Sequence, residues 1–215
     1  MGLNVVVGMF AETEPESAES MRDDLERIRE LLAARGLPDW REPEPGQGGR
    51  VGHEMWGYSG LHHLRRVAVH LAESGTLPPP LGADGRASED PLLRAAYARE
   101  PRSGGCVEHL IHHSDCAGYY VPVEFEQVIV DEGLTGCHLG SSHRLLEVCR
   151  RVAAALDLPA DLTPDSEEIF DAADEEPDET APDGWRRHGI AALTCMQLIE
   201  AAEHSVGTGA AIVFC

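Results

Sequence analysis

Two short apolar runs at opposite ends of the chain set the strongest limit on its fold. Leu3 to Met9 (LNVVVGM) is rich in β-branched residues and suits a buried strand, and Ala211 to Cys215 (AIVFC) reads the same way. Buried strands need hydrogen-bond partners, so the two runs are expected to pair in one mixed sheet with helices packed on it. The segment that leads into the second run, roughly Trp185 to His204, is apolar around much of its girth and predicts a well-buried helix broken by Gly207 and Gly209.

Other helices follow from period and caps. Ser17 to Gly36 carries Leu25, Ile28, Leu31 and Leu32 at the helical period, with Gly36 as the stop. Ser59 can cap a helix to Gly75 with Leu61, Leu64, Ala68 and Leu71 on one stripe, and a shorter helix covers Asp90 to Glu100. Ser141 or Ser142 caps a helix to Leu156, striped by Leu145, Cys149, Val152 and Leu156. Between these lies a segment that can be drawn as a hairpin, with Val107 to His113 and Tyr119 to Val130 extended around a Ser114 to Gly118 turn, although Glu108 to His113 also suits a helical turn. The expectation is a single α+β domain over residues 1–215. Its mixed sheet, made from the N- and C-terminal strands and a central hairpin, packs with four to five helices.

Charge narrows the function classes. The chain has 38 acidic and 17 basic residues, a net charge of -21, and every basic residue is Arg. Without Lys, neither a Schiff-base lysine nor a Walker-type phosphate lysine exists. Phosphate contacts need cationic side chains, so no nucleic acid and no anionic membrane is expected as a partner. Residues 158–185 hold eleven Asp or Glu and no basic residue, while 27 acidic residues face 17 arginines elsewhere. That stretch reads as a solvated, mobile acidic loop, with a partner- or cation-binding arm as the second reading. The opening run has no basic n-region or cleavage site, no apolar stretch approaches 18 residues, and the six cysteines are treated as thiols, so the expected compartment is cytoplasmic. The residues fix no oligomeric state.

The chemistry-bearing residues crowd into one region. Between Cys106 and His143 lie five of the eleven histidines and three of the six cysteines. His109 and His113 can converge whether their segment is strand or helix, and Cys116 and His138 would complete a tetrahedral set for a metal such as zinc. The alternative is metal-free thiol chemistry, with Cys116 as nucleophile, His113 or the more distant His62 as base, and Asp115 as the orienting carboxylate. A third reading has these histidines simply hydrogen-bonding locally. No C-x2-C or HExxH spacing is present. Cys137 at a helix mouth resembles a cysteine phosphatase loop, but His143 stands where that loop needs Arg and Arg144 comes one residue late. The functional expectation is a small-molecule site around His113, Asp115 and Cys116. The rival is a non-catalytic acidic binder, immunity- or antitoxin-like, that covers a basic protein partner.

Overall fold

The computed structural model describes residues 3–9, 19–44, 47–55, 57–82, 84–102, 104–105, 107–175, 181 and 183–215; Cys106 and part of the acidic stretch lie outside them. Both terminal runs are strands, β1 (Asn4–Val7) and β6 (Ile212–Phe214), and they are direct neighbours. With β2 (Val51–Glu54), β3 (Gly118–Val121), β4 (Ile129–Val130) and β5 (His138–Ser141) they form one six-stranded sheet in the order β2-β1-β6-β3-β5-β4. All neighbours are antiparallel except β3 and β5, so the sheet is mixed, as the sequence implies.

Alternation along the strands gives the sheet two buried faces. Tyr119, Val121, Leu139 and Val213 face the helix α1 (Glu19–Ala34), which contributes Ile28, Leu31 and Leu32. Val5, Val7, Tyr120, Ile212 and Phe214 face the larger helical layer. That layer holds α2 (Gly57–Ser74), α3 (Pro91–Ala98), α4 (Glu108–Ile111), α5 (Ser142–Ala155), α6 (Glu167–Asp174), α7 (Gly184–Arg187) and α8 (Gly189–Thr208). The described helices therefore outnumber the expected four to five. The surplus comes from short pieces that carry little periodicity in sequence.

The last helix is buried as its all-round apolarity demands, with α2, α5 and α6 against it. Its start is not at Trp185, because a break at His188 separates α7 from α8. Gly189 at the break is required: a Cβ there would stand 1.6 Å from the Ala172 carbonyl oxygen of α6, so the two backbones touch. Gly209 in the left-handed region ends the helix, donating its N–H to Ser205.

The expected central hairpin is corrected. Val107 to His113 is not a strand but carries α4, the helical turn that Glu108 to His113 also suits in sequence, and the partners of β3 are β5 and β6. Glu108 explains the helical choice. Its carboxylate is buried, held by Arg99 Nη1 at 2.9 and 3.0 Å and by the Arg102 backbone N–H, with His112 one turn on at 3.1 Å. In an extended segment Glu108 and His112 would share a face but stand about 13 Å apart, out of reach of each other, whereas one helical turn brings them together. The long second arm ends at Val121, because Pro122 has no N–H for the ladder, and β3 pairs instead with β5. Gly140 sits opposite Tyr120 on β3, whose ring fills the space a Cβ would need, with ring carbons at 2.3 and 2.4 Å from it.

One buried guanidinium fixes the turn between α4 and β3. Arg65 on α2 is 1% exposed and donates to the carbonyls of Leu110 (2.7 Å) and His113 (2.8 Å) and to the Asp115 carboxylate (2.6 Å). Replacing Arg65 with Met keeps the stem's volume but orphans two buried carbonyls, at about 1–3 kcal/mol each. Urea unfolding of Arg65→Met is expected to show a loss of about 3 kcal/mol, and Arg65→Lys, which lacks the fork that reaches three acceptors, should recover only part of it.

Candidate functional site

The histidine and cysteine region comes together around α4, β3 and β5, with its members divided between core and surface. His109 is fully buried; its Nδ1 accepts the Ser141 backbone N–H (2.9 Å), and its ring meets Phe125 edge-on at 5.2 Å. His113 is 3% exposed, with Nδ1 3.2 Å from the Ser114 carbonyl and Nε2 3.1 Å from the Tyr119 carbonyl. It stacks on Tyr120 at 4.0 Å and packs against Phe214, which makes it part of the sheet's core. Burial holds both imidazoles neutral, pushing His109 down to about 4 and His113 down to about 3. A base that is neutral at working pH is useful only if a substrate can reach it; His109 is sealed, and His113 shows only an edge to a surface cleft.

The remaining candidates gather at the surface, where Tyr97, His112, His113, Asp115, Cys116 and His138 line an open cleft of about 570 Å³. Cys116 is exposed, and its backbone N–H and Sγ are engaged by Ser114 Oγ at 3.3 and 3.5 Å. Asp115 serves Arg65 and stands 3.5 Å from His62 Nε2, while His62 Nδ1 pairs with the Tyr97 hydroxyl at 2.8 Å. Burial lowers His62 as well, only partly offset by Asp115. His138 turns its Nδ1 to the Gly136 carbonyl at 2.7 Å, and its ring is 5.8 Å from that of His113. Among the described residues no three His, Cys, Asp or Glu side chains are grouped to hold a metal ion. The set His109, His113, Cys116 and His138 is thus split between core and surface.

A different feature dominates the outer surface. From Asp157 to Glu175 eight carboxylates are exposed: Asp157, Asp161, Asp165, Glu167, Glu168, Asp171, Asp174 and Glu175. Among the described residues none of them forms an ion pair, whereas Glu30, Asp39, Glu73, Glu89, Glu124, Glu147 and Glu203 each face an arginine within 4 Å. The bare stretch is ordered in part: α6 presents four of these carboxylates and docks by Ile169 and Ala173 onto α8. Its two first-turn glutamates sit where the helix dipole favours negative charge. Eight helical residues span about 12 Å, so α6 carries one carboxylate per about 3 Å of axis. A single DNA strand carries one phosphate per roughly 3.4 Å of helix axis.

Beside α6, the walls of a cleft of about 360 Å³ include Ala172 to Glu175 on one side and His63, Arg66, Arg187 and His188 on the other. Burial, reinforced by Arg66, holds His63 and His188 neutral, each at about 4. Arg66 is already committed to Asp90 (2.8 Å) and the Pro79 carbonyl (2.9 Å). Arg187 shares the cleft with Asp174 and Glu175, although among the described residues no carboxylate of α6 comes within 4 Å of an arginine nitrogen.

A family model described as "Putative DNA-mimic protein" matches residues 1–214. No curated protein and no solved structure matches the chain. The match overturns the expected small-molecule site and its thiol or zinc chemistry, and among the described residues no group able to hold a metal is present. It equally replaces the immunity- or antitoxin-like cover for a basic protein partner, because a DNA mimic stands in for nucleic acid. Sequence reasoning missed the α6 surface by reading the acidic run as a loop; Ile169 and Ala173 at a spacing of four, between acids, were the available signal.

The buried imidazoles set an acid limit on stability. His63, His109, His113 and His188 all have lowered values in the folded state, so the stability they contribute is full above about 6.5 and is lost as pH falls through 4. Urea midpoints are expected to fall steadily between pH 6.5 and 4, and imidazole NMR shifts should show His113 still neutral at pH 5.

Proposed function

Since the chain belongs to the DNA-mimic family, we propose that it is a non-catalytic acidic protein that occupies the DNA-binding surface of a DNA-binding protein and so competes with DNA for it. The observation that carries this reading is the set of exposed carboxylates from Asp157 to Glu175, four of them on α6, whose backbone touches α8 at Gly189. A surface that reads phosphates places guanidinium and ammonium groups at phosphate spacing, and carboxylates at a similar density meet the same groups. Pairing elsewhere on the molecule leaves this segment as the strongest concentration of unneutralised charge among the described residues. Electrostatic attraction of this kind speeds encounter and is weakened by salt.

The working compartment is the cytoplasm in this reading, where DNA-binding proteins act. Cys149 and Cys195 support it: they sit together in the core as free thiols, the Cys195 thiol donating to the Cys149 carbonyl at 3.1 Å. Among the described residues no helix is long and apolar enough to cross a membrane.

The test is displacement. DNA-cellulose charged with the DNA-binding proteins of the source cell is washed with the purified protein, and the released species is identified and re-assayed by anisotropy of a labelled duplex. Release of a discrete protein, with competition that weakens as salt rises, is expected. The variant E167Q/E168Q/D171N/D174N should compete about 30- to 100-fold less well, each lost charge costing somewhat under 1 kcal/mol at a rim position. No release at low salt, or full activity of the variant, would refute the reading.

A further inference from the structure

Charge alone makes a poor copy of DNA, because a nucleic-acid strand also presents apolar sugar and base faces between its phosphates. Proteins that bind DNA exploit those faces by stacking aromatic side chains on bases or by wedging apolar groups between them. An effective substitute therefore needs an apolar group set within its anions.

The molecule has one such group on α6. Phe170 is 39% exposed, an unusual place for a phenyl ring on a helix that could have buried it. Glu167, Phe170, Asp171 and Asp174 stand at helical spacings of three, one and three, so they share one face of α6. The opposite face, through Ile169 and Ala173, is consumed by packing on the helical layer. The other large apolar side chains exposed among the described residues, Leu92 on α3 and Val130 on β4, lie outside the acidic stretch. Isolated exposed apolar residues are ordinary, but this one sits at the centre of the surface that is left without counter-charges. Aromatic anchors ringed by polar groups dominate the energetics of protein interfaces.

We propose that Phe170 is the anchor of the docking face, seated in an apolar recess of the partner's DNA-binding surface where DNA places a sugar or base, while Glu167, Asp171 and Asp174 meet the surrounding phosphate-binding cations. The inference rests on the DNA-mimic reading above and adds the recognition element that reading lacks. It gives binding a component that salt does not screen.

The experiment uses the full-length protein and the DNA-binding protein released from DNA-cellulose. Competition is measured across salt for wild type, F170A, F170L, L92A and the four-carboxylate variant. F170A should lose about 30-fold with an unchanged dependence on log salt, F170L should recover part of the loss, and L92A should match wild type. The carboxylate variant should instead flatten the salt dependence. Circular dichroism and urea midpoints confirm that F170A keeps the fold, which its exposure allows. Wild-type competition by F170A, or a loss equalled by L92A, overturns the anchor and leaves the DNA-mimic reading standing. A flattened salt dependence in F170A also overturns it, since the ring would then only be supporting the carboxylates. Failure to release any protein removes both.

Discussion

The apolar girth of α8 governs the architecture. From Gly189 to Leu198 the helix exposes no side chain and must be enclosed, which β1, α2, α5 and α6 together provide, while its second half turns Glu200 and Glu203 to water. This requirement explains why the sheet cannot be one wall of an open sandwich, and why an acidic helix of only eight residues is recruited to the outer layer. It also explains the backbone contact at Gly189, which is what remains when two helices must approach closely enough to leave no gap. Acidic display and core closure are in this way parts of one construction: the strip of carboxylates is the outside of a lid on α8.

Much of this was legible in the residues. The runs at Leu3 and Ala211 paired as β-branched buried segments must, and the Leu145, Cys149, Val152, Leu156 stripe marked α5, whose Ser141 cap accepts the Arg144 N–H. What could not be read was set by distant partners. The choice of helix for Glu108 to Ile111 depends on Arg99 and Arg102, and the neighbour of β3 depends on Tyr120 lying over Gly140, neither of which leaves a periodic trace. Buried polar groups such as Arg65 are likewise invisible to hydropathy, because a guanidinium enters the core only where carbonyls and a carboxylate already await it.

The candidate site was misjudged for a related reason. Histidines crowd between His109 and His143 because several act as compact core polar groups, bonding backbone at the junction of α4 and the sheet, and not because they share a ligand. Density in sequence is a weak guide to convergence, since His109 and His113 point into different cores, one against Phe125 and the other against Tyr120 and Phe214. The acidic stretch gave the opposite error. Its charge argued for solvation, which is correct for each side chain, but two apolar residues one turn apart were enough to fix the backbone of α6. The surplus of carboxylates argued in sequence against a phosphate partner, and the same imbalance is what a phosphate-binding surface recognises.

The uneven placement of arginines has a dynamic corollary. Ion pairs are spread along α1, α2, α5 and the intervening loops, while among the described residues no carboxylate of α6 is in one, so unpaired acidic charge is concentrated on one side of the molecule. Such a molecule feels a torque in an external field as well as a pull. While still separated from a DNA-binding surface by water, it would rotate to lead with α6, so that fewer collisions are wasted on the wrong orientation.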